Sequence, residues 1–575
     1  MRKGRQIADR LSACCWLALA GLLPVVFFPG GRDSFGPAKR DTFCILAVGQ
    51  LLLTAVRWAP EWREFVRRLA RTPVCLPACA AAVIALAGQA AGLGGWRPPA
   101  DALDVVLGAG LCLCLTADSG IAPTGKMIGI TAVSTGLAAC YAIVQFLGLD
   151  LFTWRTGFAG GAPGATYGNP LFLADGLLVV LPAAVAGILV LRGAARAASF
   201  GLACLVGYAL LLTQARGAWI GCAAALAVLG WGIRTRRFRV EASGSRWLAA
   251  LAVVGVVAAV LLSVPGPHNP GKASVAETVR SMGHPGTSGL AGRLLIWEAA
   301  ARMTRDRPVV GWGPGSVRIL YGIYQAPLLA EPRYAPLPFH STLHAHDDLL
   351  QSLAERGVAG TGIFVWLIVA SMAAWVKRRN ISPAVMAAGC GLIGWLVDGV
   401  VNGPLHLRPS SMQVWIVLGL IGRTEEAAGT VGGSATRGRA AWWIAVAAAA
   451  IVLGRPFVRD LLAEGWFRAG ADALDRGAAA EAVPRLARAD AFALEDRRHQ
   501  YQIGRGWFML GRWADAAAAF REDAARNPGA HSAWFNLGVA EWRAGRPVEA
   551  RRAVEYALAL KPGDAESLRF LRNPR

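Results

Sequence analysis

Three clusters of arginine, histidine and aspartate have the makings of a site that grips an anion and moves a proton. The first is Thr213-Gln214-Ala215-Arg216-Gly217-Ala218-Trp219, where Arg216 sits in a connection too short to leave the interface between two apolar runs. Arginine at that depth costs about 2–3 kcal/mol unless it is paired or hydrated. It reads either as a snorkelling anchor or as an anion clamp, since a guanidinium binds phosphate bidentately and stays charged. The second cluster runs from Gly292-Arg293-Leu294-Leu295-Ile296-Trp297 to Gly311-Trp312-Gly313-Pro314-Gly315. Arg293 and Trp297 lie one helical turn apart, and Leu294, Trp297 and Ala301 share one face, which predicts an amphipathic helix along a membrane surface. Arg302, Arg305 and Arg307 are expected to touch lipid headgroups, and the glycine run reads as a tight turn or as a weak phosphate loop. The third is His344-Ala345-His346-Asp347-Asp348, followed by Glu355-Arg356-Gly357, at the start of a helix that re-enters the membrane. Spacing pairs His344 with Asp348 on that helix. A histidine at a water-lined mouth can act as a general base near neutral pH.

The elements that hold these clusters are membrane helices. Charged residues are 17% and the hydrophobic set 55% of 575 residues, where soluble domains average about a quarter charged. Apolar runs near or above the span minimum of about 17 residues recur at 11–29, 41–56, 73–93, 101–117, 126–147, 168–191, 198–213, 216–233, 247–264, 357–376, 383–401 and 408–422. A weaker thirteenth lies at 440–454. The expected fold is all-α: a polytopic bundle of about 12–13 spans with a long extracytoplasmic loop at 265–350. The formal charge of +22 would suggest nucleic acid in a soluble protein. Here the basic residues gather in alternate loops (Arg2 to Arg10, Arg57 to Arg71, Arg234 to Arg239, Lys377 to Arg379), so the charge encodes topology and no nucleic-acid partner is expected. That rule puts the N-terminus in the cytoplasm and 265–350 outside. All eleven cysteines fall within or beside apolar runs, which offers neither a disulfide framework nor zinc spacing. All eight histidines fall on the predicted outer side, and no strand-to-helix nucleotide loop is visible, which argues against a nucleotide-sugar enzyme.

Residues 1–425 thus form the membrane body, 426–460 a polar linker with a probable last span, and 461–575 a helical tail. In the tail Gly470, Gly504 and Gly538 recur in step with Gly477, Gly511 and Gly545, with Ala482, Ala516 and Ala550, and with Pro528 and Pro562. This is the 34-residue tetratricopeptide period, degenerate in the first unit, where Leu494 replaces proline.

Taken in order, Gly168-Asn169-Pro170, Ala215-Arg216-Gly217, Arg293 with Trp297 before Gly311-Trp312-Gly313, and Ala345-His346-Asp347 resemble the O-antigen ligase and polymerase family of membrane glycosyltransferases, over residues 10–425. The resemblance implies transfer of an undecaprenyl-diphosphate-linked glycan to a hydroxyl of lipid A core, another glycan or a protein, at the periplasmic face of the inner membrane. It implies no cofactor and no metal. Arg216 and Arg293 would hold the diphosphate and His346 would take the acceptor proton, with Asn169, Trp297, His344 and Asp347 also touching substrate. One departure is His346-Asp347 where the family has His-Asn; with Asp348 adjacent, two carboxylates are expected to repel the donor and to alter acceptor handling. The tail points to a protein partner and is expected in the periplasm. Two competing classes are a non-catalytic scaffold that presents the repeats, and a transporter relying on Asp175 and Asp398.

Overall fold

The computed structural model describes residues 2–573 apart from 32, 92–98, 118–122, 151, 153–160, 239, 242, 267–268, 271–273, 283–287, 340, 379–380, 407–409 and 424–438. His268, His284, His340 and most of the polar linker therefore lie outside the described residues. Among the described residues every regular element is a helix. The first ten are α1 (Arg2–Val25), α2 (Gly36–Trp58), α3 (Trp62–Arg71), α4 (Cys75–Ala91), α5 (Pro99–Ala117), α6 (Thr124–Phe146), α7 (Pro170–Val190), α8 (Gly193–Leu212), α9 (Arg216–Arg234) and α10 (Gly244–Leu261). Buried residues of α7, α9 and later helices make one core, and those of α1, α2 and α5 a second. In its most apolar stretch α7 is 78% buried and α10 only 6%, so α7 is the axis of the bundle and α10 its lipid-facing rim.

Eight described helices are long and apolar enough to cross a membrane, nine if α3 and α4, bent by 98°, count as one broken span. The other expected spans fall on shorter helices or adjoin residues outside the described ones. Two of the expected spans, 383–401 and 408–422, are helices of 16 and 12 residues. Both are buried on nearly all sides by other helices, which suits their apolar character.

The expected loop at 265–350 is largely helical, with α11 (Val275–Met282), α12 (Ser288–Asp306) and α13 (Ser316–Leu329). On α12 the buried stripe is Leu295, Ile296, Ala299, Ala300 and Met303, whereas Leu294 is 45% exposed. The buried stripe is where α12 packs onto α13 and α14 (Asp348–Lys377), and the face of Leu294 and Ala301 points away from that contact. Arg302 pairs with Glu298 at 3.0 Å and Glu331 at 2.7 Å, and Arg307 lies 4.2 Å over the Trp312 ring, so each of these two has a partner within the protein.

The glycine run is a backbone clasp. Gly311, Gly313 and Gly315 all have positive φ (68°, 99° and 76°). Trp312 N and Gly313 N donate to Ala354 O and Glu355 O at 3.0 and 2.8 Å, while Val358 N and Ala359 N donate back to Pro308 O and Val309 O at 2.8 and 3.1 Å. The clasp grips a break in α14 at Gly357, which has φ 63° and ψ −172°. With those two N–H groups used internally, the phosphate-loop reading falls. A Cβ on Gly357 would sit 2.3 Å from Val309 C. Gly357→Ala should therefore lower the thermal stability of the purified protein by at least about 1–3 kcal/mol from backbone strain alone; an unchanged melting temperature would show that the clasp can open without cost.

After α15 (Pro383–Asp398) and α16 (Ser410–Ile421) comes α17 (Arg439–Asp475), one helix that carries the thirteenth apolar stretch directly into the tail. Its 37 residues extend about 55 Å, more than the roughly 30 Å of a bilayer core. The repeats follow as α18 (Ala479–Phe492), α19 (His499–Met509), α20 (Trp513–Arg526), α21 (His531–Arg543), α22 (Pro547–Leu560) and α23 (Ala565–Arg572). The 34-residue period has a steric cause. A Cβ on Gly470, Gly504 or Gly538 would lie 2.6, 2.7 or 2.4 Å from Leu486, Phe520 or Val554, the equivalent residue of each paired helix. Gly477, Gly511 and Gly545 make the turns, with φ of 81°, 73° and 77°.

His499 is buried in this stack, its ring 4.6 Å from that of Phe467 and its Nδ1 3.8 and 3.9 Å from Asp490 and Asp496. Burial first, then the charge of Arg497, pushes its pKa down to about 4 against the pull of Asp496, Asp490 and Asp460. An unfolded chain takes up this proton near pH ~6.5, which the folded repeat refuses until pH ~4. Stability is therefore complete above that window and falls as pH drops through it. Tail resistance to protease should decline from about pH 7.5 to about pH 5, and His499→Gln should flatten the slope. An equal slope in the variant would assign the effect to other groups.

Candidate functional site

The sequence clusters meet where one end of α7, α9, α14 and α15 converges. Asn169 is the N-cap of α7, its Oδ1 accepting from Leu171 N at 2.8 Å. Gly168 before it has φ 73°, and a Cβ there would lie 2.1 Å from the Phe35 ring. Arg216 is the first residue of α9 and exposed, held there by a tight α8–α9 hairpin in which Trp219 Nε1 donates to Leu210 O at 2.9 Å. Gly217 presses against the end of α15, where a Cβ would come 2.1 Å from Asp398 Oδ1 and 2.8 Å from Asn402 Nδ2. On the opposite side of that turn, half-buried Arg293 donates from Nη2 to Asn402 Oδ1 at 3.3 Å, and Asn402 Nδ2 donates to Asp398 Oδ1 at 2.6 Å.

The two arginines are thus brought together over the end of α15. Burial, then repulsion from Arg216, holds the Arg293 pKa below its ordinary value, while Asp398 pulls it the other way. Neither arginine makes an ion pair among the described residues. Two neighbouring guanidinium groups without a direct carboxylate partner form a ready seat for a dianion. Trp297, one turn beyond Arg293, is half-buried.

His346 precedes the cap of α14 and has φ 55°, an uncommon conformation for a residue with a side chain. Asp347 is the cap, its Oδ1 accepting from Leu350 N at 2.7 Å. Either Asn or Asp serves there, so the exchange relative to the family pattern keeps a local structural role. Asp348 is anchored to the turn after α15: its N donates to Gly399 O at 2.8 Å, and its carboxylate accepts from Leu405 N at 3.2 Å and meets His406 Nδ1 at 2.7 Å. The expected helical pairing of His344 with Asp348 does not exist, because His344 lies ahead of the helix. His406 was not singled out from sequence. Its partner stands 58 residues earlier, a separation with no local spacing signal.

Asp175 and Asp398 are fully buried, and Asp175 Oδ2 accepts from Ser410 Oγ at 3.5 Å. Among the described residues no group of three or more His, Cys, Asp or Glu has metal-binding geometry. A cavity of about 910 Å³ opens beside this turn. Asn169, His344 and His406 line it, whereas Arg216, Arg293, Trp297 and His346 do not. The turn 398–406 therefore separates an arginine seat from a roomy chamber.

Residues 200–365 match the family model described as O-antigen ligase, and 501–565 match a tetratricopeptide repeat model. The first match contains Arg216, Arg293, Trp297 and His344 to Asp347, but not Asn169. No curated protein matches the chain. Among solved structures, the crystal structure of the APC/C hetero-tetramer Cut9-Hcn1 is similar at 11% identity, covering 94% of this chain and 90% of that chain, with a TM-score of 0.19. That likeness carries no argument. The first match supports a membrane glycan ligase or polymerase in general, and the apolar helices make the chain a polytopic membrane protein.

Proposed function

From a chain with an O-antigen ligase domain at 200–365 and a tetratricopeptide repeat at 501–565, we propose transfer of a glycan from undecaprenyl diphosphate to an acceptor hydroxyl at the periplasmic face of the inner membrane. The observation that carries this reading is the convergence of Arg216 and Arg293 on one turn without a direct carboxylate partner. The acceptor oxygen attacks the anomeric carbon as the bond to the diphosphate oxygen breaks, and the diphosphate leaves with that electron pair. The acceptor proton passes to His346. Fixed positive charge where new negative charge develops is the largest help a site can give such a step. Asp347 and Asn169 act as helix caps that hold the mouth in shape, and Trp297 stands beside the arginine seat. The acceptor hydroxyl belongs to lipid A core, a glycan repeat or a protein.

The test is transfer by the purified chain from a lipid-diphosphate-linked glycan in the presence of chelator. Product with an inverted anomeric centre supports the reading, and activity that returns only with added magnesium or manganese sinks its metal-free form. The tail lies at the same end of the bundle as Asn169, because Arg40 near the start of α2 pairs with Asp460 and with Glu495, the latter at 3.0 Å. This supports a periplasmic tail. Alkaline phosphatase fused after Arg575 should be active and a cytoplasm-only green fluorescent reporter dark; the reverse pattern would place both tail and site inside.

A further inference from the structure

The tail does not hang free. Arg40 is fully buried and is held by Asp41 of its own helix, by Asp460 of α17 and by Glu495. Arg497 adds Asp460 at 3.0 Å and Glu464 at 2.7 Å, and Arg318 of α13 reaches the same Glu495. Farther along, Gly529 of the repeats presses its backbone on Gly322 of α13, where a Cβ on Gly322 would lie 1.9 Å from Gly529 O. Tail and membrane body are locked together at two places, and the cavity of about 910 Å³ lies between the locks.

Its walls come from both parts. Tyr167, Phe172, Phe364 and Trp415 contribute rings from the body, and Arg498, Asn527, His531 and Ser532 polar groups from the repeats. Among the described lining residues there are seven carboxylates and five basic side chains, an acid excess that suits neither a diphosphate nor a strongly anionic polymer. Aromatic faces among paired donors and acceptors suit a polyhydroxylated chain, whose C–H faces lie on rings and whose hydroxyls bridge fixed polar groups. The volume stands near the top of the roughly 300–1,000 Å³ range of ligand sites, enough for several sugar units. His406, bonded to Asp348 beside the arginine seat, is in its wall.

We infer that the repeat tail is part of the substrate site: it closes the chamber in which an uncharged or weakly charged glycan lies, while the lipid diphosphate occupies the arginine seat. This rests on the proposed transfer reaction. It assigns Arg498, Asn527, His531 and Ser532 to glycan binding, a role distinct from recruitment of a protein partner.

The probe is the glycan that accumulates on lipid diphosphate in cells lacking this chain, released by mild acid and titrated onto the purified full-length protein. Undecaprenyl diphosphate without sugar is titrated in parallel. Two variants fill the chamber from opposite walls, Ser532→Trp in the tail and Ser341→Trp in the body, with melting curves to confirm folding. Wild type should bind the released glycan, and each variant should weaken that binding at least tenfold while bare lipid diphosphate binds as before. Glycan binding unchanged in both folded variants overturns the inference, as does a wild type that transfers glycan and binds lipid diphosphate but shows no affinity for the released sugar. Failure of transfer and of lipid-diphosphate binding in the wild type would instead remove the reaction on which the inference rests.

Discussion

Arg216→Lys and Arg293→Lys should each lower kcat/KM for glycan transfer by about 10²–10³-fold, with the protein still folded. The charge is kept in both variants, so long-range attraction of an anion survives. What is lost is the planar fork that grips two oxygens at once, which an ammonium cannot reproduce. Arg293 should be the more sensitive of the two. It is half-buried and oriented by Asn402, whereas Arg216 is exposed at the start of α9 and has room to be replaced by a mobile cation. A second measurement separates the clamp from a structural role: affinity for undecaprenyl diphosphate should fall in parallel with activity. Near-normal transfer by both lysine variants at subsaturating donor would sink the clamp.

His346→Asn should reduce kcat by about 10²–10⁴-fold while donor binding is retained. Asparagine is chosen because it tolerates the positive φ of this position, so the loop ahead of α14 keeps its course and only the proton acceptor is removed. His344→Ala should have a milder effect. It sits in the chamber wall and not at the helix mouth. His406→Ala should act through position, since it removes one of the three contacts that tie Asp348 to the turn 398–406; its loss should be smaller and shared between kcat and KM. Equal phenotypes for His344→Ala and His346→Asn would refute the assignment of the base.

The repeat period was legible because one steric requirement recurs three times. Each first-helix glycine faces a bulky residue of its partner helix, and a Cβ at 470, 504 or 538 would come within 2.4–2.7 Å of it. The arginine and histidine motifs were legible as local strings, and the structure gathers their supports on the turn after α15. The surroundings of each apolar run were less so. Apolar composition reports burial of any kind, and α15 and α16 are buried by other helices. On α12 two apolar stripes compete, and only its packing against α13 and α14 selects Leu295, Ala299 and Met303 over Leu294 and Ala301. His406 with Asp348, and Arg40 with Asp460 and Glu495, join residues 58, 420 and 455 positions apart, beyond any periodic signal.

That last separation has a bearing on biogenesis. A ribosome delivers α2 to the membrane early, with Arg40 near its first turn, and the carboxylates that balance it arrive only after 420 more residues have been made. Until then Arg40 has only Asp41 and, once α5 is made, the nearby charge of Asp104, and an incompletely compensated buried charge costs about 3–5 kcal/mol. The membrane body is thus held in an unfinished state until the end of translation, and the tail acts as its final fastening. Chains cut short before Asp460 should be recognised as unfinished and degraded, so a truncated allele should be read as loss of the whole protein and not of the tail alone.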